Sequence, residues 1–190
     1  MKKKIGILGG TFDPPHIGHL IIANEVLHSL GLEEIRFMPN SVPPHKEKTE
    51  RVSNQARVDM LELAINGNNQ FLVEAIELNR EGPSYTYDTI KLLKQKNPDL
   101  DIHFIIGADM IEYLPNWYKI DELVNMVQFV GVKRPTYNEA SAYPIKHVQT
   151  PELFISSSMI RERLNMGMSI RYLVPEQVES YIKEHGLYES

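Results

Sequence analysis

The chain has 190 residues, a formal net charge of −5 and no cysteine. That length suits a single domain, residues 1–190, with a real core; the acidic balance argues against a general nucleic-acid binder; and the lack of cysteine excludes a disulfide framework without fixing a compartment. No apolar run approaches the roughly 20 residues that span a bilayer, and the run after Met1-Lys2-Lys3-Lys4 is too short for the core of a signal peptide, so the expectation is a soluble cytoplasmic protein with no membrane partner.

In chain order, Ile5 to Leu8 predicts a first strand, buried because it is apolar nearly throughout. Gly18 to Leu30 predicts a helix with Ala23, Val26, Leu27 and Leu30 on one stripe, ended by Gly31. Glu34 to Met38 predicts a strand, and Pro39 to Arg51 a loop rich in proline and lysine. Val52 to Asn66 predicts a helix with Met60, Leu61, Ala64 and Ile65 inward, and Phe71 to Leu78, which alternates in part, a strand. Tyr85 to Lys96 predicts a helix that stops before Pro98, followed by a buried strand, Asp101 to Ile106, that carries His103.

Two short helical pieces are expected around Met110 and Asp121, then a buried strand, Val127 to Val132. Arg134 to Pro144 reads as a polar, mobile loop, and Lys146 to Gln149 as a last short strand. Ser157 to Asn165 and Pro175 to His185 predict helices, the second with Pro175 at its first position and Gly186 just past its end.

Strands alternating with helices imply an α/β fold: a doubly wound, mainly parallel sheet covered on both faces, with C-terminal helices. Such sheets bind ligands outside the carboxyl ends of their strands, at the point where strand order reverses. Gly9, Asn40, Gly107 and Arg134 each fall just after a predicted strand, so the pattern gathers them at one sheet edge.

The densest stretch is Gly9-Gly10-Thr11-Phe12-Asp13-Pro14-Pro15-His16-Ile17-Gly18-His19. It joins the first strand to the first helix, whose start offers unpaired N–H groups and a partial positive charge suited to phosphate. Glycine lets a phosphate approach the backbone without meeting a Cβ. His16 and His19 share one face of the first turn, so together they form a compact donor cluster for a polyphosphate. His-x-x-His also resembles half a metal site, but the chain offers no cysteine and no third ligand at metal spacing. The Gly-x-Gly-x-x-Gly and Gly-x-x-x-x-Gly-Lys-Ser/Thr patterns are both absent, so this phosphate site is of another design.

Three further places carry chemistry. Ser156 and Ser157 open a helix whose first turn ends near Arg161, an arrangement that binds phosphate or simply caps a helix. Gly107 and Asp109 follow a buried strand, where a carboxylate accepts from ribose hydroxyls or caps a helix. Trp117, the only tryptophan, lies between Pro115 and Tyr118 in a segment that does not read as core. Its indole can stack on a pyridine ring or pack as a surface tryptophan.

Residues 9–19 resemble the Gly-x-Phe-Asp-Pro-x-His-x-Gly-His signature of the nucleotidylyltransferase superfamily. Ile155-Ser156-Ser157-Ser158-Met159-Ile160-Arg161 is similar to its second signature. Pro43-Pro44-His45-Lys46, Gly82-Pro83-Ser84-Tyr85-Thr86-Tyr87-Asp88-Thr89, Gly107-Ala108-Asp109 and Pro115-Asn116-Trp117-Tyr118 resemble segments of the bacterial nicotinate mononucleotide adenylyltransferases, in the same order along essentially the whole chain.

The resemblance implies a Rossmann-like fold and adenylyl transfer from ATP to nicotinate mononucleotide, with release of pyrophosphate. It implies His16, His19 and Arg161 as catalytic, His19 foremost. Gly9, Gly10, Gly18, Gly107, Asp109, Ser156 and Ser157 would bind ATP. Thr11, Phe12, Asn40, Lys46, Thr86, Trp117 and Tyr118 would bind the mononucleotide, with Trp117 stacked on the nicotinate ring and main-chain N–H groups near Thr86 and Tyr118 on its carboxylate. Asp13 would fix the turn. Mg2+ would arrive bound through the ATP phosphates, with no dedicated protein cage.

Three rivals stay open at this point. One is a phosphopantetheine adenylyltransferase, although that family has threonine where His16 stands. Another is an adenylyltransferase preferring the nicotinamide mononucleotide. The third is a non-catalytic nucleotide-binding module, against which His16, His19 and Arg161 together argue. Oligomeric state is left open, a homo-oligomer included.

Overall fold

The computed structural model describes residues 2–41, 52–80, 85–133 and 141–188, with residues 108, 109 and 133 described by their backbone alone. The strands are β1 (Lys3–Gly10), β2 (Glu34–Pro39), β3 (Phe71–Val73), β4 (Leu100–Gly107), β5 (Gln128–Lys133) and β6 (Ile145–Gln149). The helices are α1 (Ile17–Leu30), α2 (Asn54–Ile65), α3 (Thr86–Lys96), α4 (Ala108–Tyr113), α5 (Ile120–Leu123), α6 (Ser157–Asn165) and α7 (Glu176–Glu184), with a 3-10 turn at Leu114–Asn116.

The strands form one sheet in the order β3-β2-β1-β4-β5-β6, every pair parallel. Apolar runs make the central strands: Ile5 and Ile7 of β1 and Ile102 of β4 are fully buried, as strands covered on both faces must be. On one face, Ala23, Val26 and Leu27 of α1 and Leu61 of α2 pack on Leu8, Ile35, Phe37 and Ile105. On the other, Tyr87, Ile90 and Leu93 of α3 and Leu123 of α5 pack on Ile5, Ile7, Phe104 and Phe129. A third cluster joins Met60 of α2 to Ile160 of α6 and to Val178 and Ile182 of α7, so the C-terminal helices lie against α2.

Strand order reverses between β1 and β4. These two strands run in register from Lys3↔Leu100 to Leu8↔Ile105, so Gly10 and Gly107 finish at the same edge. The expected doubly wound sheet is therefore present, and its switch point, where such sheets bind ligands, lies between β1 and β4.

Several boundaries differ from the sequence expectation. The strand expected over Phe71 to Leu78 ends at Val73. The Glu74 N–H still donates to the Phe37 carbonyl at 2.9 Å, but the chain then turns through Leu78 N–H to Ala75 O and Arg80 N–H to Glu77 O. Ile76 in the core and Glu77 on the Thr89 hydroxyl are both buried, and two consecutive inward residues fit a turn rather than the alternation of a strand. Gly9 and Gly10 belong to β1, and Gly107 closes β4, rather than following them. Pro175 is the cap of α7, one residue before its first turn. Among the described residues no helix is long and apolar enough to cross a membrane. Lys46, Arg134 and the segment 82–84 lie outside the described residues.

Candidate active site

The loop from β1 to α1 is shaped by Phe12. Its ring is buried and packs edge-on to His19 at 4.9 Å and tilted against Phe37 at 5.9 Å. Phe12 has φ 51°, the left-handed region that non-glycine residues seldom enter. With the ring turned inward, only its main chain is left for a ligand. Gly10 makes room for that ring, since a Cβ there would come within 3.0 Å of it.

His16 caps α1 in an extended conformation. Its N–H donates to Nδ1 of His19 at 3.1 Å. A nitrogen that accepts carries no proton, so neutral His19 holds its proton on Nε2, ready to donate. The two rings stack with centroids 3.6 Å apart. A Cβ at residue 18 would lie 3.1 Å from the His16 ring, so Gly18 lets the rings meet.

Burial pushes the His16 pKa down to about 4. Burial first, then the neighbouring His16, holds His19 well below the usual histidine range. Both rings are neutral near pH 7 in the ligand-free chain, and a polyphosphate beside them favours the protonated form. Nδ1 of His16 and Oδ1 of Asn40 are buried without a hydrogen-bond partner among the described residues.

The second signature docks on the first. Ser157 Oγ donates to the Pro14 carbonyl at 2.9 Å, and Arg161 Nη1 donates to the Asp13 carbonyl at 2.6 Å. Arg161 Nη2 also donates to Ser158 Oγ at 3.2 Å. Ser156 Oγ accepts from the Met159 N–H and so caps α6. The hydroxyls of Ser156 and Ser157, expected on phosphate, thus have partners within the chain, and what they offer a phosphate is the free N–H groups of the first turn of α6.

The opposite wall holds Trp117. Its indole meets Phe104 and Phe129 edge-on, each at 6.0 Å, and is partly buried against the α3–α5 core. The segment around it is therefore anchored to core, which the sequence reading did not expect. Tyr118 is exposed and lies 4.8 Å from the ring of Tyr85, the residue that caps α3. That contact brings Thr86, first in α3, beside the Trp117-Tyr118 segment. Gly107 caps α4 and Asp109 lies in its first turn.

The cytidylyltransferase-like family model matches residues 7–163, which include both signatures. The chain is 56% identical over 188 residues to "Nicotinate-nucleotide adenylyltransferase" of Bacillus subtilis (strain 168), covering 99% of this chain and 100% of that one. It is 59% identical over 185 residues to "Probable nicotinate-nucleotide adenylyltransferase" of Geobacillus thermodenitrificans, covering 97% and 86%. The chain belongs to the cytidylyltransferase-like family and, within it, to the nicotinate-nucleotide adenylyltransferases. The fold is also that of the Plasmodium falciparum nicotinic acid mononucleotide adenylyltransferase solved with NaAD, with a TM-score of 0.82 at 22% identity over 98% of this chain and 97% of that one.

Two residues of this adenylyltransferase escaped sequence reasoning. Arg57, buried on α2, donates through Nη1 to the carbonyls of Thr11 and Asn40 at 2.8 Å each, and through Nη2 to Asn54 Oδ1. It ties the ends of β1 and β2 together. A signal existed: Arg57, Met60, Leu61 and Ala64 form one buried helical stripe, and a cation on such a stripe has a job. The other is Tyr188, whose hydroxyl donates to Asp13 Oδ1 at 2.6 Å from a position with no local pattern.

Proposed function

We propose that this chain transfers the adenylyl group of ATP to the phosphate of nicotinate mononucleotide, forming nicotinate adenine dinucleotide and pyrophosphate in NAD biosynthesis. The observation that carries this reading is the docking of Arg161 on the Asp13 carbonyl, which unites the two nucleotide-binding signatures above the β1/β4 reversal.

The attacking oxygen is a mononucleotide phosphate oxygen, already anionic, so no general base is required. It bonds to the α-phosphorus as the bond from that phosphorus to the bridging oxygen breaks, and the electron pair leaves with pyrophosphate. Catalysis is then alignment together with neutralisation of charge in a fixed, partly dry site. His19 donates from Nε2 to an α-phosphate oxygen, with His16 stacked behind it. Arg161 and the first turn of α6 take the β- and γ-phosphates.

Thr11, the Phe12 N–H and Asn40 face the mononucleotide, and the resemblance assigns Lys46 to the same substrate. Trp117 lies on the nicotinate ring, and N–H groups near Thr86 and Tyr118 meet its carboxylate. Asp109 and Gly107 serve the ATP ribose. Magnesium bound through the ATP phosphates, which Arg161 and the first turn of α6 would hold, would supply further charge neutralisation. A cytoplasmic location follows from the need for ATP.

The test is pyrophosphate release from ATP, run in parallel with nicotinate mononucleotide, its amide and phosphopantetheine. Release should be fastest with the acid. Release with phosphopantetheine alone, or with none of the three, contradicts the reading.

A further inference from the structure

Tyr188 stands 175 residues along the chain from the residue it contacts, and no part of either signature includes it. Past the end of α7, Gly186 takes φ 57° and Tyr188 takes φ 67°, which turns the tail back toward the core. The Gly186 and Leu187 N–H groups close α7 on the carbonyls of Lys183 and Ile182. The Tyr188 ring is buried in the third cluster beside Ile160 and Val178, and its hydroxyl emerges at Asp13.

Asp13 is the shared element. One carboxylate oxygen, Oδ1, accepts from Tyr188 at 2.6 Å; the other, Oδ2, lies 3.8 Å from Arg161 Nη1, too far for a hydrogen bond. Arg161 Nη1 donates instead to the Asp13 main-chain carbonyl at 2.6 Å. The guanidinium is therefore aimed by neutral acceptors, the Asp13 carbonyl and Ser158 Oγ, while the Asp13 carboxylate forms only a loose ion pair with it, without a hydrogen bond.

We infer that Tyr188 is a positioning residue for ATP: by holding the Asp13 carboxylate it keeps the ion pair with Arg161 loose, so that the guanidinium N–H groups stay aimed at phosphate. This rests on the adenylyl-transfer reading for the identity of the ligand. Burial, then the bond to Asp13, raises the Tyr188 pKa, so the hydroxyl stays a donor throughout the working range. Without the hydroxyl, Asp13 Oδ1 loses its donor, and a small rotation closes the carboxylate onto Arg161. A close ion pair would then compete with ATP for Arg161.

The experiment uses the full chain with Tyr188→Phe, which keeps the ring in the core and removes one oxygen. ATP affinity is read by calorimetry, and steady-state kinetics are taken with ATP and nicotinate mononucleotide varied in turn. The expected result is an ATP affinity weakened roughly tenfold, the scale of one hydrogen bond to a charged group, with the mononucleotide KM within about twofold of wild type. Tyr181→Phe is the structural control. Its hydroxyl bonds Asp59 at 2.9 Å, away from the loop, so its loss should lower the melting temperature and leave ATP binding alone.

In an Asp13→Asn background no carboxylate remains to capture Arg161, so adding Tyr188→Phe should not weaken ATP further. The melting temperature of each variant is recorded alongside, and ATP binding is compared well below it, so that a loss of fold is read separately from a loss of affinity. Unchanged ATP affinity in Tyr188→Phe, or a tenfold loss that persists in Asp13→Asn, overturns the inference. Wild type that binds ATP yet releases no pyrophosphate overturns the adenylyl-transfer reading instead, while the calorimetric comparison still decides the role of Tyr188.

Discussion

His16 and His19 stack with ring centroids 3.6 Å apart and planes 23° from parallel, while the His16 N–H holds Nδ1 of its partner. Two imidazoles so close cannot both become cations without an anion beside them. The pair is thus poised: neutral when empty, and pulled toward protonation when a polyphosphate arrives.

That arrangement sets a pH dependence. The folded His16 pKa, about 4, lies below the unfolded value of 6.5, so between these values the unfolded chain binds more protons. Stability is fully present above pH 6.5 and is lost progressively as pH falls toward 4. The melting temperature of wild type should fall more steeply across that window than that of His16→Asn. Parallel curves for the two proteins would contradict the buried neutral imidazole.

His19→Ala removes the Nε2 donor and leaves the His16 N–H without its acceptor. The expected loss is about 10²–10³ in turnover, the usual cost of one preorganised donor, with much smaller changes in either KM. Turnover above half of wild type at saturating substrates would remove His19 from its role.

Arg57→Met keeps the volume and deletes the charge. It strips a donor from the carbonyls of both Thr11 and Asn40 in a buried setting. Each unsatisfied group costs about 1–3 kcal/mol, so denaturant unfolding should show a loss of roughly 2–6 kcal/mol. The KM for the mononucleotide should rise as well, because the strand ends that face it are no longer tied. A variant as stable as wild type would show that Arg57 does not hold these loops.

Selection of the acid over the amide is the finest expectation. A carboxylate accepts from two N–H groups without penalty, whereas a carboxamide turns its own NH₂ toward one of them. A mismatched buried donor costs about 1–3 kcal/mol and about 1.4 kcal/mol is one decade, so kcat/KM should favour nicotinate mononucleotide by roughly tenfold or more. Because the donors belong to the main chain, Thr86→Ala should keep most of that preference, and Trp117→Ala should weaken acid and amide alike. Equal efficiencies in wild type would point to a dual-specificity pocket.

The β1–α1 loop was legible in the sequence because its determinants are local. A glycine pair ending a strand and two histidines at a helix start need no distant partner to be recognised. The sheet was legible too, since alternation of apolar runs with helical stripes prescribes parallel crossovers. Phe71 to Leu78 misled because Ile76-Glu77-Leu78 alternates apolar and polar in the sequence, whereas the Thr89 hydroxyl holds Glu77 inward next to the buried Ile76. Trp117 misled in the other direction: its flanks are exposed, yet Phe104 and Phe129 seat it from two neighbouring strands. Tyr188 left no sequence trace, because its meaning lies wholly in a residue at the other end of the chain.

The central claim is direct transfer, in which the mononucleotide phosphate displaces pyrophosphate in one step within a site that aligns and neutralises charge. The measurement that tests it most directly is the configuration at phosphorus when ATP carrying a chiral α-thiophosphate reacts with nicotinate mononucleotide. A single in-line displacement inverts that centre, and inversion is the predicted result. Retention would require an adenylylated residue on the pathway and would contradict the account.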